Sequence, residues 1–139
     1  MTAAADLAVG QIIAEREIPL SRDSLVRYAG ASGDFNPIHY RDDVAAGVGL
    51  PGVLAHGMLT MGAAVQPVVD WAGGAHRVRD YQVRFTRPVV VDPESGATLA
   101  VTAKVGAIDA EAGTVRIDLT VRAGESTVLG KAQVVVLLG

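Results

Sequence analysis

The feature that most constrains the fold is a change of hydrophobic period in the middle of the chain. Residues 57–71 place apolar side chains on nearly every face at helical spacing, which predicts a buried helix. From His76 onward apolar and polar residues alternate, as at residues 81–86, 99–105 and 114–122, which predicts strands with one covered face. Antiparallel strands that follow a buried helix indicate an α+β domain with its sheet curled around that helix.

The remaining sequence supplies shorter elements and their boundaries. Ser21 is a helix cap, and Gly30 and Gly33 are expected to end its helix. Pro67 is expected to kink or weaken the long helix near residue 63. The other predicted elements are a strand at 11–18, one helical turn within 41–49, a turn at 51–52, hairpin loops at 109–113 and 123–126, and a closing strand around 134–138.

Composition excludes several classes of protein. The 139 residues fit one domain, with a core of Val, Ala and Leu because only 4% are aromatic. A net charge of −3 gives no general attraction to nucleic acid or anionic membranes. There is no cysteine, so disulfides and thiol chemistry are excluded. Residues 1–10 lack a signal-peptide pattern, and no apolar run approaches a membrane span, so we expect a cytoplasmic protein.

One short loop carries the strongest chemical signal. In residues 33–39 the sequence reads Gly-Asp-Phe-Asn-Pro-Ile-His. Pro37 fixes its own φ and biases Asn36 toward extended backbone, so Asp34 and His39 are held in a stiff relation. A fixed carboxylate and imidazole suit proton transfer. Taken singly, Asp34 as a turn cap and His39 as a surface or core histidine are the commoner explanations.

This string resembles the signature of the MaoC-like dehydratases, the (R)-specific enoyl-thioester hydratase 2 family. Two further blocks of the chain, 54–59 and 83–89, follow in the order of that family. Within it, the chain most resembles the β-type subunits of actinobacterial (3R)-hydroxyacyl-ACP dehydratases. The resemblance implies a single hotdog domain over residues 1–139, an antiparallel sheet wrapped around a buried central helix.

The resemblance also implies a reaction, the reversible hydration of trans-2-enoyl thioesters to (3R)-hydroxyacyl thioesters. Asp34 and His39 carry over as its acid–base pair, with His39 assigned to the C2 proton and Asp34 to the hydroxyl. Asn36 is a supporting residue that holds the loop or hydrogen-bonds Asp34, although a plain turn asparagine is equally common. Gly57 begins the predicted helix, whose free N–H groups suit a developing oxyanion, and the resemblance makes the Gly57 N–H the expected donor. The alternative for Gly57 is close packing.

Other candidates are weaker. Arg84 and Arg87 fall on the polar phase of a predicted strand and are candidates for the phosphates of CoA or a phosphopantetheine arm, although a solvated strand face is commoner. His56 is interpreted as structural, its ring or carbonyl bracing the turn, and His76 as a surface loop residue. Three scattered histidines do not make ligand spacing, so we expect neither a metal site nor a cofactor.

Several alternatives stay open at the level of sequence. The carrier is either free CoA or acyl carrier protein, and the chain forms either a homodimer or a heterodimer with a related hotdog subunit. Thioester hydrolysis is disfavoured because the predicted helix has no carboxylate before Asp70. A non-catalytic partner subunit is disfavoured by the intact Asp34 and His39 pair. No nucleic-acid or membrane partner is expected.

Overall fold

The computed structural model describes residues 6–139. The expectation that residues 1–10 carry no signal peptide falls partly on residues 1–5, which lie outside this range. Within the described residues, five strands and three α-helices follow one another. They are β1 (Ile12–Leu20), α1 (Arg22–Ser32), α2 (Asp42–Gly47), α3 (Gly57–Ala72), β2 (Val78–Phe85), β3 (Ala97–Asp109), β4 (Thr114–Ala123) and β5 (Ser126–Leu137).

The strands form one antiparallel sheet in the order β1-β3-β4-β5-β2. Strands β3, β4 and β5 are joined by short loops, whereas β1 and β2 lie at the two edges. The alternation predicted for residues 99–105 and 114–122 is confirmed, since Leu99, Val101, Val115 and Ile117 are all buried. With α3 packed against this sheet, the predicted α+β hotdog architecture is confirmed.

Helix α3 covers the sheet with one stripe of its surface. Thr60, Ala64, Pro67 and Val68 are buried at helical spacing, and Val68 is fully covered, a burial that typically contributes about 1.5–3 kcal/mol. The expectation of burial on nearly every face is wrong for the single chain, because the sheet wraps only one side and Met58 stays 58% exposed. The helix runs unbroken through Pro67.

Helix α1 delivers the chain to the loop that holds Asp34. Ser21 caps it as predicted, because its hydroxyl accepts from the Ser24 N–H and its own N–H donates to the Ser24 hydroxyl, both at 3.1 Å. The prediction that Gly30 helps to end this helix is wrong, since Gly30 lies inside it. Gly33 ends it in the left-handed region at φ 75°, where glycine has no steric penalty.

The last strand is longer than its sequence pattern suggested. Strand β5 begins at Ser126, but its burial alternation is interrupted because neighbouring Val128 and Leu129 are both buried. The pairing of β5 with β2 and β4 is irregular there, and Lys131 has φ 45°. A bulge of this kind shifts the period by one residue and hides a strand from pattern analysis.

Among the helices of residues 6–139, none has the length and hydropathy that a membrane span requires.

Candidate active site

The loop after α1 is ordered by its own polar groups. The Asn36 backbone N–H donates to Asp34 Oδ1 at 3.1 Å, and the Asn36 side-chain oxygen accepts from the Ile38 N–H at 3.3 Å. Pro37 begins a single 3₁₀ turn that ends at His39. Asn36 therefore holds the turn with its side chain and contacts the Asp34 carboxylate with its backbone.

His39 is held in one ring orientation at the end of this turn. Its side chain is buried, and Nδ1 lies 2.7 Å from the carbonyl oxygen of Leu54. Because a carbonyl only accepts, Nδ1 carries the hydrogen and Nε2 is the basic nitrogen of the neutral ring. The Leu54 N–H in turn donates to the Ile38 carbonyl at 3.1 Å, which fastens the loop to the segment before α3.

Folding brings a second histidine to the pair. One carboxylate oxygen of Asp34 and one ring nitrogen each of His39 and His56 lie within 4.8 Å of one another, so the expectation of scattered histidines is wrong for His56. The rings of His39 and His56 stack with centroids 3.9 Å apart and planes 22° apart. Nearly parallel rings direct their lone pairs side by side rather than toward a common point. The cluster therefore suits proton transfer better than a convergent set of ligands.

His39 and Gly57 open onto the same pocket, which has a volume of about 330 Å³. Asp34 is exposed beside it and is not part of its lining. Most of the wall is apolar. The other lining residues are Leu54, Ala55, Thr60, Phe85, Thr86, Arg87, Pro88, Val89, Val128 and Leu129.

Gly57 lies at the first position of α3. The first N–H groups of a helix have no acceptor within it and carry the positive end of its dipole. The preceding residue, His56, makes no side-chain cap, so these N–H groups are not used by a capping side chain. The structure thus has donors available for an anion at the pocket wall that His39 shares.

The two arginines predicted to act together are separated. Arg87 lies beyond the end of β2, in a bend that lines the pocket, so the prediction that it belongs to the strand is wrong. Arg84 lies within β2 and lines a different cleft together with Lys131. The chain leaves the strand after Phe85 and turns, so the strand alternation no longer applies at Arg87. His76 is exposed in a short turn, as expected for a loop residue.

The sequence matches the family model described as MaoC like domain over residues 6–123. It is 39% identical over 74 residues to 3-hydroxyacyl-thioester dehydratase X of Mycobacterium tuberculosis, an alignment covering 53% of this chain and 25% of that protein. Across the curated relatives that it matches, the chain spans between 3% and 25% of their length.

Solved structures agree with the family match. One of a MaoC-like dehydratase superposes with a TM-score of 0.95 at 35% identity, covering 99% of this chain and 42% of that one. The unliganded R-hydratase PhaJ1 from Pseudomonas aeruginosa superposes with a TM-score of 0.81 at 28% identity, covering 99% of this chain and 86% of that one.

Proposed function

The chain belongs to the MaoC-like domain family, and from this premise we propose that it is a hydro-lyase acting on acyl thioesters. The proposed reaction is the reversible addition of water to a trans-2-enoyl thioester, giving a (3R)-hydroxyacyl thioester. We further propose that residues 1–139 act as one hotdog domain, because α3 and the sheet share a single apolar core. We propose that the substrate is carried on CoA or acyl carrier protein, and that the protein acts in the cytoplasm.

The observation that carries this proposal is that two groups line one pocket, His39 and Gly57, with the Asp34 carboxylate beside them. The bond from Nδ1 to the Leu54 carbonyl leaves Nε2 as the basic nitrogen of His39, and a carboxylate oxygen of Asp34 lies within 4.8 Å of a ring nitrogen of His39. Gly57 begins α3 at the wall of the pocket that His39 also lines. An acid, a base and an oxyanion donor are what water addition to an activated double bond requires.

In the hydration direction, Asp34 removes a proton from water as the water oxygen bonds to C3. The electron pair of the double bond moves toward the thioester oxygen, which the Gly57 N–H stabilises. Protonated His39 delivers its proton to C2. The proton taken up by Asp34 then passes to His39 and restores both groups, and dehydration reverses each step. Asp34 is exposed and His39 lines the pocket, which supports a water-side role for Asp34 and a carbon-side role for His39.

The pocket wall supports an acyl chain as the bound group. Leu54, Val89 and Leu129 contribute apolar surface, and transfer of hydrocarbon onto such surface contributes about 0.8 kcal/mol per buried methylene. Arg87 lines the same pocket and is the better candidate for a carrier phosphate, whereas Arg84 faces a separate cleft. CoA and acyl carrier protein share this phosphate, so both remain substrates of the proposal.

We propose that a second hotdog chain, identical or related, covers one side of this site. In the sheet formed by residues 6–139, β1 and β2 are the edge strands, each paired along one side. Four large apolar side chains on or next to the site segments are 43–60% exposed, namely Phe35, Tyr40, Met58 and Phe85. Exposed apolar side chains grouped near an unpaired edge strand favour association.

Thioester hydrolysis finds less support. The carboxylate it would need on α3 is first met at Asp70, which is paired with Arg16 at 2.7 Å. Both residues line a groove on another part of the surface, away from His39 and Gly57. A hydrolytic mechanism would therefore have no carboxylate of α3 beside the pocket.

The test is hydration of crotonyl-CoA by the purified chain, followed by loss of enoyl-thioester absorbance and by chiral analysis of the 3-hydroxy product. We expect the (R) product. Asp34→Asn and His39→Ala should each reduce kcat by about 10²–10⁴-fold while the thermal midpoint stays near that of the wild type. Free CoA release without hydration would instead indicate a hydrolase, and near-normal turnover in either variant would remove that residue from the mechanism.

A further inference from the structure

His56 occupies the most enclosed polar position near the site. Its side chain is only 1% exposed, at the residue immediately before α3. One ring face stacks on His39, and Tyr28 of α1 approaches with centroids 4.7 Å apart and planes 63° apart. The imidazole therefore packs between α1, the loop at residues 33–39 and the start of α3.

The ring also makes one directed hydrogen bond. Its Nε2 lies 3.1 Å from the backbone oxygen of Asp34, and a carbonyl can only accept, so Nε2 carries the hydrogen. Burial lowers the pKa of His56, which favours this neutral form at neutral pH. Its Nδ1 has no hydrogen-bond partner within residues 6–139, so no second contact competes for the ring orientation.

We propose that His56 is a positioning residue that sets the distance between the Asp34 carboxylate and His39 Nε2. It holds the backbone of Asp34 by its N–H and the ring of His39 by its face, and it is joined directly to Gly57. Of the three groups assigned to the chemistry, Asp34 is thus hydrogen-bonded to His56, His39 is stacked on it, and Gly57 follows it in the chain. His56 does not line the pocket, so it acts through the others rather than on substrate.

This inference rests on the proposed acid–base function, and it has a definite expected size. Misplacement of a reacting group by about 1 Å can lower a rate by about 10²-fold. Loss of the Nε2–H bond would free the carbonyl of Asp34. Loss of the ring face would leave the His39 ring oriented by its hydrogen bond to the Leu54 carbonyl, without the stacking contact. Ground-state binding in the apolar pocket should change little. The effect should therefore fall on kcat rather than on KM.

The experiment compares four variants. His56→Phe keeps a ring to stack but loses the N–H, whereas His56→Gln places an amide N–H at about the reach of Nε2. His56→Asn carries the same amide on a side chain one methylene shorter, which does not reach the Asp34 carbonyl. His76→Phe repeats the first substitution at an exposed histidine outside the site and serves as the control.

We expect His56→Phe and His56→Asn to lower kcat by about 10–100-fold with KM within about twofold, and His56→Gln to recover most of that loss. His76→Phe should match the wild type. Each variant is assayed well below its own melting midpoint. If His56→Phe does not fold, the kcat values of His56→Asn and His56→Gln are compared with each other. Equal activity of His56→Asn and His56→Gln, or activity that only follows the folded fraction, would overturn the proposal.

A second readout does not depend on turnover. Imidazole ¹⁵N and ¹H spectra, assigned with the histidine variants, report the tautomer and environment of His39 directly. We expect the His39 signals and the amide signals of residues 34–36 to shift in His56→Asn and to stay near their wild-type positions in His56→Gln. Unchanged His39 signals in His56→Asn would refute positioning. If the wild type does not hydrate enoyl thioesters, the proposed function fails and these spectra still decide the role of His56.

Discussion

Gly57→Ala provides the sharpest test of the proposed oxyanion donor, because the added methyl group is small and its surroundings are known. A Cβ at this position would lie 3.0 Å from Cε1 and 3.2 Å from Cδ1 of the Phe85 ring. That ring is 55% exposed, so it has room to move by the few tenths of an ångström required. Gly57 does not have left-handed backbone geometry, so alanine fits its conformation.

The expected effects on stability and on catalysis differ in size. Replacing glycine by alanine at a compatible site stabilises by about 0.4–1 kcal/mol, and the tight contact with Phe85 offsets a similar amount. The net change should move the melting midpoint by no more than about 3–5 °C. A methyl group where the thioester oxygen must approach should instead remove the benefit of a backbone donor, about 10²–10³-fold in kcat. The two outcomes are therefore separable.

The assay is kcat/KM for crotonyl-CoA hydration beside a thermal melt, with Gly62→Ala as the matched control. Gly62 lies in the same helix, and its added Cβ would meet no atom within 4 Å. It should stabilise slightly and leave activity unchanged. The double variant of Gly57→Ala with Phe85→Ala distinguishes a displaced ring from a blocked oxygen. Retention of activity within about threefold in Gly57→Ala, or its recovery when Phe85 is removed, would refute the donor role.

Three further predictions concern assembly, alkaline stability and the carrier. Sedimentation at micromolar concentration should give a mass above one chain of 14.3 kDa, alone or with a co-expressed hotdog partner, and a fully active monomer would contradict the proposed partner. Burial raises the pKa of Tyr81, whose hydroxyl donates to the Met61 carbonyl at 2.8 Å, so folding favours the protonated phenol and stability should fall as pH rises above about 10. Tyr81→Phe should cost about 1 kcal/mol at pH 7 in urea unfolding and flatten that alkaline fall; an unchanged slope would exclude Tyr81 as its source. Arg87→Ala should raise KM for crotonyl-CoA about tenfold while Arg84→Ala stays near wild type, and equal effects would argue against a carrier contact at Arg87.

The parts of the site that sequence could predict are those fixed by neighbours along the chain. Asp34, Pro37 and His39 lie within one short loop, and their relation follows from local backbone restriction. The start of α3 at Gly57 follows from the apolar helical spacing that begins there. These features depend on residue types and short spacings, which can be read directly from the sequence.

What sequence could not predict depends on contacts between distant segments. His56 meets Asp34 and His39 only because the segment before α3 packs on the loop after α1, and no local pattern encodes that packing. The position of Arg87 was predicted wrongly because the chain bends after Phe85, and the alternation of strand β2 does not continue beyond that residue. The first half of β5 was hidden because the irregular backbone at Lys131 shifts the burial pattern.

The strand order also has a consequence for how the molecule comes into being. Strand β2 supplies Phe85 to the pocket, yet among residues 6–139 its only partner in the sheet is β5, which is synthesised after β3 and β4. Strands β3 to β5 can pair with their neighbours through short loops, whereas β2 must wait for a contact such as Val78 with Val136. Closing long loops is slow relative to forming hairpins. The pocket should therefore assemble last, so binding of an acyl thioester during refolding would report the docking of β2 rather than collapse of the core.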